Sequence, residues 1–318
     1  MEIVPVQFNE IHSAWEQLTQ LSSTVGFFQT YDFHRIWIKH FGNGLDFHIL
    51  SIKEGSGIIA IAPLVLHGSI LQFIVTQPVL GKELVSDYGD ILTKEGKEKE
   101  VCEVIASYVQ ENTYQLKLDF VRESSANYKL LTANSLLHST ENIDVAPFLK
   151  LPASWDEYLT NLPRHDRHEL RRKIKKLPEV HLAFVEPTTE NLSILFDLMR
   201  QSDRDKVRFL TPSMGAFFTE LITFFHTKHI AQLVFLYDKE NQPIAAVVGF
   251  MYHNRWYLYN SGYRADLRHL SPGVVLKGLL IKDAIKKGIE IFDFLRGSER
   301  YKYNLGGVDE KLYQIKYE

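Results

Sequence analysis

The sequence predicts an α+β protein made of two tandem copies of one unit, each a mixed, mostly antiparallel sheet flanked by helices. Three observations lead there. A chain of 318 residues has room for two domains of roughly 150 residues. Its composition, 45% hydrophobic and 24% charged, is globular, and 12% aromatic residues supply enough bulk for two cores. Above all, each half spells the same order: helix, helix, three strands in meander, loop, helix, strand, short helix, strand.

In the first half, Asn9–Ser22 and Tyr31–Phe41 read as helices, the second stopping at Gly42. LDFHILSIKE and GIIAIAPLVLHG read as strands joined at Gly55-Ser56-Gly57, and SILQFIVTQ as a third. A loop, VLGKELVSDYGDILTKEG, leads to a helix over Lys97–Glu111 with Val101, Val104, Ile105 and Tyr108 at helical spacing. YQLKLDFV alternates as a strand, SSANYKLLTANS reads as a helix, and STENIDVAPFLKL closes the half.

The second half opens with EVHLAFVE as a strand and helices near Thr189–Arg204 and Ser213–Lys228. AQLVFLY, IAAVVGFMY and RWYLYNSGY form the meander, and the first two join across the breaker-rich turn Asp238–Pro243. A long apolar helix follows Ser271 and stops at Lys286-Lys287-Gly288. IEIFDFL is a strand, SERYKYNLG a short helix or turn, and KLYQIKY the last strand. The junction falls near Leu151–Trp155, giving domains of 1–150 and 151–318.

The totals exclude several function classes. A net charge of −3 is wrong for a general DNA or membrane-surface binder, whose footprint is basic. Cys102 is the single cysteine, so no intrachain disulfide and no Cys-based metal site is expected; His165 and His168 are three apart but stand among cations with no carboxylate pair, and the other histidines show no ligand spacing. The N-terminus MEIVPVQFNE lacks the basic segment of a signal peptide. The longest apolar run, Ile58–Leu66, is broken by Pro63 and falls far short of the roughly 20 residues a spanning helix needs. A cytoplasmic protein is expected.

The motif with the clearest chemistry is YRADLRHLSPGVVLKGLLIKDAIKKG. A helix N-terminus presents unsatisfied N–H groups and a partial positive charge, so it suits an anion. Ser271 is a residue type favoured at N-caps, Pro272 suits the first helical position, and Gly273 lets a ligand approach closely. Arg268 adds a mobile charge, and the apolar run after it predicts a helix sandwiched against a sheet. Upstream, Gly262 would permit a bulge or splay where a strand stops pairing.

This arrangement of meander, loop, buried helix, strand and Tyr-bearing helix resembles the GNAT acyltransferase fold. The family loop, Gln/Arg-x-x-Gly-x-Gly/Ala, is matched by Arg268, Ser271 and Gly273, with Ser in place of the first glycine. More narrowly, FFQTYDFHRIWIKHFG, AIAPLVL, SDYGDIL, RHDRHELRRKIKKL and the block from Tyr263 to Gly306 resemble the double-domain CelD-like and FemAB-like branch. The resemblance implies acetyl-CoA or another acyl-CoA held by Arg268, His269, Leu270, Ser271, Gly273 and Val274. It implies Tyr301 as the acid for the departing thiolate, with Tyr303 as the alternative. Lys302, or else the amide N–H groups at the strand splay, is a candidate for the oxyanion, and Asp293 or Glu299 for accepting the proton of the attacking amine. FemAB-like relatives use aminoacyl-tRNA, an alternative donor; the second half lacks the long helical hairpin that commonly binds tRNA in that group.

In the first half, SDYGDIL stands at the position of the second half's loop but carries Asp87 and Asp90 instead of a phosphate cradle. Such carboxylates suit a cationic amine acceptor, and the resemblance marks Asp90 as a further candidate base. The segment Arg164–Lys176 holds seven cations against two carboxylates. At helical spacing Arg164, Arg167 and Arg171 share a face beside a stripe of Leu170, Ile174 and Leu177. That face is either a solvated basic helix or a contact for an anionic substrate. The acceptor is expected to be an amine of a small molecule, a sugar or a cell-envelope precursor.

Overall fold

The computed structural model describes residues 1–22, 25–133, 137–177 and 179–317. The last residues of the helix expected over 124–135 lie outside them. The chain divides into two compact units, Met1–Val145 with Glu310–Glu318, and Ala146–Asp309.

The first unit contains β1 (Glu2–Val6), α1 (His12–Thr19), α2 (Tyr31–Phe41), β2 (Phe47–Glu54), β3 (Gly57–His67), β4 (Ile70–Phe73), β5 (Leu92–Thr93), α3 (Glu98–Glu111), β6 (Gln115–Arg122) and α4 (Ala126–Ala133). Next come β7 (Leu137–Lys150), α5 (Trp155–Asn161), α6 (Arg164–Lys176), β8 (His181–Val185), α7 (Thr189–Ser202), α8 (Arg204–Phe209) and α9 (Pro212–Thr227). β9 (Ala231–Tyr237), β10 (Pro243–Tyr252), β11 (Arg255–Tyr263), α10 (Pro272–Lys286), β12 (Ile291–Asp293), α11 (Arg300–Asn304) and β13 (Val308–Tyr317) complete the chain.

Each unit is an α+β layer with the same sheet logic. In the first, β1-β2-β3-β4 run antiparallel, β4 pairs β6 in parallel, and β13 lies antiparallel to β6. In the second, β8-β9-β10-β11 run antiparallel, β11 pairs β12 in parallel, and the Phe148–Lys150 end of β7 lies antiparallel to β12. The strand β1 is absent from the sequence reading. It occupies the place in the first unit that β8 has in the second, so the two orders agree more closely than expected.

The closing strands depart from the expected halves of 1–150 and 151–318. β13, the end of the second half, joins the first unit, because Ile315 and Tyr317 bury among Leu118, Val121 and Leu131 there. β7 passes from the first unit into the second, where Phe148 and Leu149 register with Asp293 and Phe292.

In the second unit α10 is sandwiched as its apolar run predicts. Val275, Leu276, Leu280 and Ile281 bury against Ile244, Val247 and Trp256, each side chain contributing roughly 1.5–3 kcal/mol. α6 lies on the same helix: a Cβ on Gly278 would meet Leu170 Cδ1 at 2.8 Å, so Gly278 makes room for the α6 stripe. The helix expected near Thr189–Arg204 is α7, which stops at Ser202; a short helix the sequence did not announce, α8, follows, with the Asp203 carboxylate accepting the Asp205 N–H as its N-cap.

Candidate active site

The site grows from the parting of two strands. β11 and β12 pair only from Arg255↔Ile291 to Tyr257↔Asp293, whereas β11 continues beside β10 to Tyr263. The irregularity that accompanies this parting is not at Gly262. It lies opposite Val248 and Gly249, where Tyr259 is skipped in the register. Gly262 is regularly paired with Ala246; its missing Cβ serves another end, since one would sit 2.2 Å from Met199 N on α7.

A cavity of about 410 Å³ lies at this place. Ser261 and Tyr263 from β11, Arg268 and Ser271 from the loop, Gly273, Val274 and Lys277 from α10, and Glu299 and Tyr301 from the α11 segment line it, with Ser202, Asp203 and Lys206 from the α7–α8 corner. The structure thus brings together Arg268, Ser271, Gly273, Val274, Glu299 and Tyr301 among the predicted residues. His269 is exposed, and Leu270 packs on the second unit's core.

Ser271 corrects the capping expectation. Its side chain caps nothing; instead its backbone sits at φ 57°, ψ 47°, the left-handed conformation that glycine adopts freely, and its carbonyl accepts the Val274 and Val275 N–H groups. A serine therefore holds a backbone shape that glycine would adopt freely, at a cost of roughly 1–2 kcal/mol. A Cβ at Gly273 would meet the Tyr263 ring at 3.0 Å.

Two lysines unforeseen in the sequence reading form the cavity's cationic wall. Lys206 Nζ donates to the Ser261 carbonyl at 2.6 Å, and Lys277 Nζ donates to Ser261 Oγ at 3.0 Å and to Gly273 O at 3.4 Å. The Lys277 ammonium also stands 4.7 Å from the centre of the Tyr301 ring. Burial first, and then the charge of Lys206, push Lys277 down to about 7. Burial also lowers Lys206, against the pull of Asp203 and Glu299. A signal for Lys277 existed: it is the one charge within VVLKGLLI. Lys206 lies in a polar run that offers none.

Burial raises Tyr301 above the ordinary phenol range, so it stays protonated, the form an acid requires. Tyr303 turns away, its hydroxyl donating to Asp309 Oδ1 at 2.8 Å.

Two catalytic expectations are corrected. Lys302 is 2% exposed, and its Nζ donates to the carbonyls of Leu295, Arg296 and Gly297 at 2.9, 2.7 and 3.0 Å and pairs with Glu299 at 2.9 Å. An ammonium with three N–H donors so engaged pins the turn after β12, where Leu295 and Gly297 have positive φ, and has none left for an oxyanion. Asp293 is fully buried and is not among the residues lining the cavity; it accepts from Arg255 at 2.8 Å and from the Leu295 N–H at 2.9 Å.

In the first unit Asp90 is also sealed. Its Oδ1 accepts from Asn127 Nδ2 at 2.8 Å and from the Ile91 N–H at 2.9 Å, and burial raises its carboxyl, against the Asn127 hydrogen bond and the Arg122 charge. The buried carboxyl, with its Oδ1 so engaged, fastens its loop to Asn127. Asp87 is half-buried beside it. On α6, Arg164 and Arg171 are exposed, while Arg167 reaches back to the Leu159 and Thr160 carbonyls at 3.5 and 3.4 Å and so caps α5. Among the described residues no helix is long and apolar enough to cross a membrane.

Residues 164–303 match the family model for the acetyltransferase (GNAT) domain. No curated protein matches the chain in sequence. Solved structures do match in shape. FemX superposes with a TM-score of 0.67 at 10% identity, over 99% of this chain and 97% of its own. The C-terminal domain of a lysylphosphatidylglycerol synthetase from Agrobacterium fabrum gives 0.61 at 12%, over 98% and 92%. A tandem GNAT protein from the clavulanic acid biosynthesis pathway gives 0.54 at 11%, over 99% and 97%. The chain therefore has a double-domain GNAT/FemAB-like fold, and residues 164–303 are the part of it that matches the GNAT family model.

Proposed function

We propose that the protein is an N-acyltransferase that moves an acyl group from acyl-coenzyme A, acetyl-CoA in the simplest case, to an amine of a small molecule, sugar or cell-envelope precursor. One observation carries this reading: the cavity at the mouth of α10 gathers Arg268, Ser271, Gly273 and Tyr301 where β11 and β12 part. The donor's diphosphate would lie against the loop Arg268–Val274, with Arg268 and the helix mouth supplying positive charge. The amine nitrogen attacks the thioester carbonyl carbon, a C–N bond forms and the C–S bond breaks. The sulfur takes a proton from Tyr301, and the new nitrogen gives one up. Of the carboxylates considered for that proton, Glu299 is the one at the cavity.

Aminoacyl-tRNA is the second reading, favoured by the likeness to FemX. Against it, the free ammonium of an aminoacyl group would meet Lys206 and Lys277 as like charges. Melting the protein with acetyl-CoA, with uncharged tRNA and with neither separates the readings. A ligand that binds only the native state raises the midpoint, by about 2.7 kcal/mol of stability at a hundredfold excess over its Kd. A shift with acetyl-CoA that is weakened in Arg268→Ala supports the first reading. A shift with tRNA alone overturns it, and no shift with either points to a binding module that has lost the chemistry.

A further inference from the structure

We propose that Lys206 and Lys277, bridged by Ser261, form a subsite for a carboxylate carried on the donor's acyl group, so that the preferred donor is the half-thioester of a dicarboxylic acid. The inference rests on the acyltransferase reading and names the substrate class within it.

Lysine is almost never buried without a partner. Lys277 is 6% exposed on a helix whose neighbouring side chains Leu276, Leu280 and Ile281 are in the core. Its hydrogen bonds, and that of Lys206, go to neutral oxygens of Ser261 and Gly273. The carboxylates nearby are engaged elsewhere: Glu299 pairs with Lys302, and the Asp203 side chain caps α8. Two desolvated cations share one wall, and among the described residues no carboxylate is ion-paired with either, although Glu299 acts on both and Asp203 on Lys206 from a distance.

The groups facing Lys277 explain what would restore balance. Lys206 on α8 and Lys302 on α11 repel its charge, and Glu299 before α11 attracts it. Arg268 and the Tyr301 ring complete the surroundings. Repulsion and burial together hold Lys277 near the point of losing its proton. A carboxylate received between the two ammonium groups would reverse both effects, and binding would take up a proton.

Position selects the acyl group over the diphosphate as the source of this anion. The diphosphate has the loop mouth, whereas Lys277 Nζ lies against Tyr301, the acid for the sulfur. A thioester placed for Tyr301 leaves its acyl chain beside Lys277. A methyl group there would offer the ammonium pair nothing; a carboxylate would accept charge-assisted hydrogen bonds from both.

Calorimetric titration of the full chain with succinyl-CoA, acetyl-CoA and inorganic pyrophosphate at pH 6.5 tests this. Wild type is expected to bind succinyl-CoA about tenfold more tightly than acetyl-CoA, a single charge-assisted hydrogen bond being worth at least that much. Proton uptake with succinyl-CoA, read from the dependence of heat on buffer, should exceed that with acetyl-CoA. Lys277→Met and, independently, Lys206→Met should erase the preference, the loss for succinyl-CoA exceeding any loss for acetyl-CoA by about tenfold. Equal affinity for both thioesters in wild type overturns the proposal while leaving the donor reading intact. A loss in either variant that is equal for both thioesters and for pyrophosphate also overturns it, assigning the lysines to the diphosphate. If neither thioester binds, the donor reading fails and the subsite falls with it.

Discussion

The segment Ser86–Leu92 in the first unit and the loop Arg268–Lys277 in the second stand at the same place in a repeated order, yet one is filled and the other hollow. In the first, Tyr88 is 1% exposed, edge-on to Phe28 with Arg122 over its ring. Gly89 is pressed so closely that a Cβ would meet Phe73 Cδ2 at 2.3 Å and Asp119 O at 2.9 Å. In the second, a serine and a glycine leave the space above α10 open, and lysines line it. Aromatic side chains turned one copy's loop into core, while small residues left the other's available to a ligand. Duplicated topology does not duplicate chemistry.

That contrast can be broken by filling the glycines. Gly262→Ala should be the most damaging change, about 3 kcal/mol or more, because its Cβ would strike the α7 backbone, which cannot rotate aside. Gly89→Ala should cost about 1–3 kcal/mol, and Gly273→Ala less than about 1, since a single ring edge at 3.0 Å yields easily. Urea melts rank the three. If Gly89→Ala proves as mild as Gly273→Ala, the first loop is not packed as described. Gly273→Asp is a poor probe of the donor site, since its side chain would also displace Tyr263.

The two loops should also respond oppositely to pH. Lys277 has a folded pKa of about 7, below the ordinary 10.5, so the unfolded chain binds the extra proton between those values. Its contribution to stability therefore rises with pH across that window. Asp90 has a folded pKa above 3.8, so the native state holds the proton there, and its contribution falls as pH climbs through that raised value. Lys277→Met should be more stable than wild type at pH 7, with the gap closing toward pH 10. Asp90→Asn should remove the fall on the acid side. A gap that is flat with pH in Lys277→Met would mean that the ammonium is not desolvated.

Smaller effects sharpen the chemistry. Tyr301→Phe is expected to lower kcat about tenfold with little change in KM, because a thiolate of pKa near 8.5 leaves with modest help. An unchanged kcat removes Tyr301 from the reaction. Ser271→Gly should gain about 1 kcal/mol by relieving the left-handed serine; a loss on melting would show that the Ser271 side chain contributes where no hydrogen bond indicates it.

The amino-acid sequence by itself determined the meanders, the start of α10 at Pro272, its end before Gly288 and the role of Leu170 on the α6 stripe. Periodicity, glycine and proline act over a few residues, so they can be read along the chain. The place of Ser271-Pro272-Gly273 at the mouth of α10 was legible for the same reason, as was the short helix that carries Tyr301. Only the tertiary structure decided which polar atoms were used up. Asp293 meets Arg255 and Lys302 meets three carbonyls, which no spacing announces, and Lys206 comes beside Lys277 through contacts distant in sequence. Whether β13 or β7 closes a sheet was likewise settled by where its apolar face could be buried. Desolvation and strand pairing depend on neighbours brought together by the whole fold, and a charge acquires its function from those neighbours.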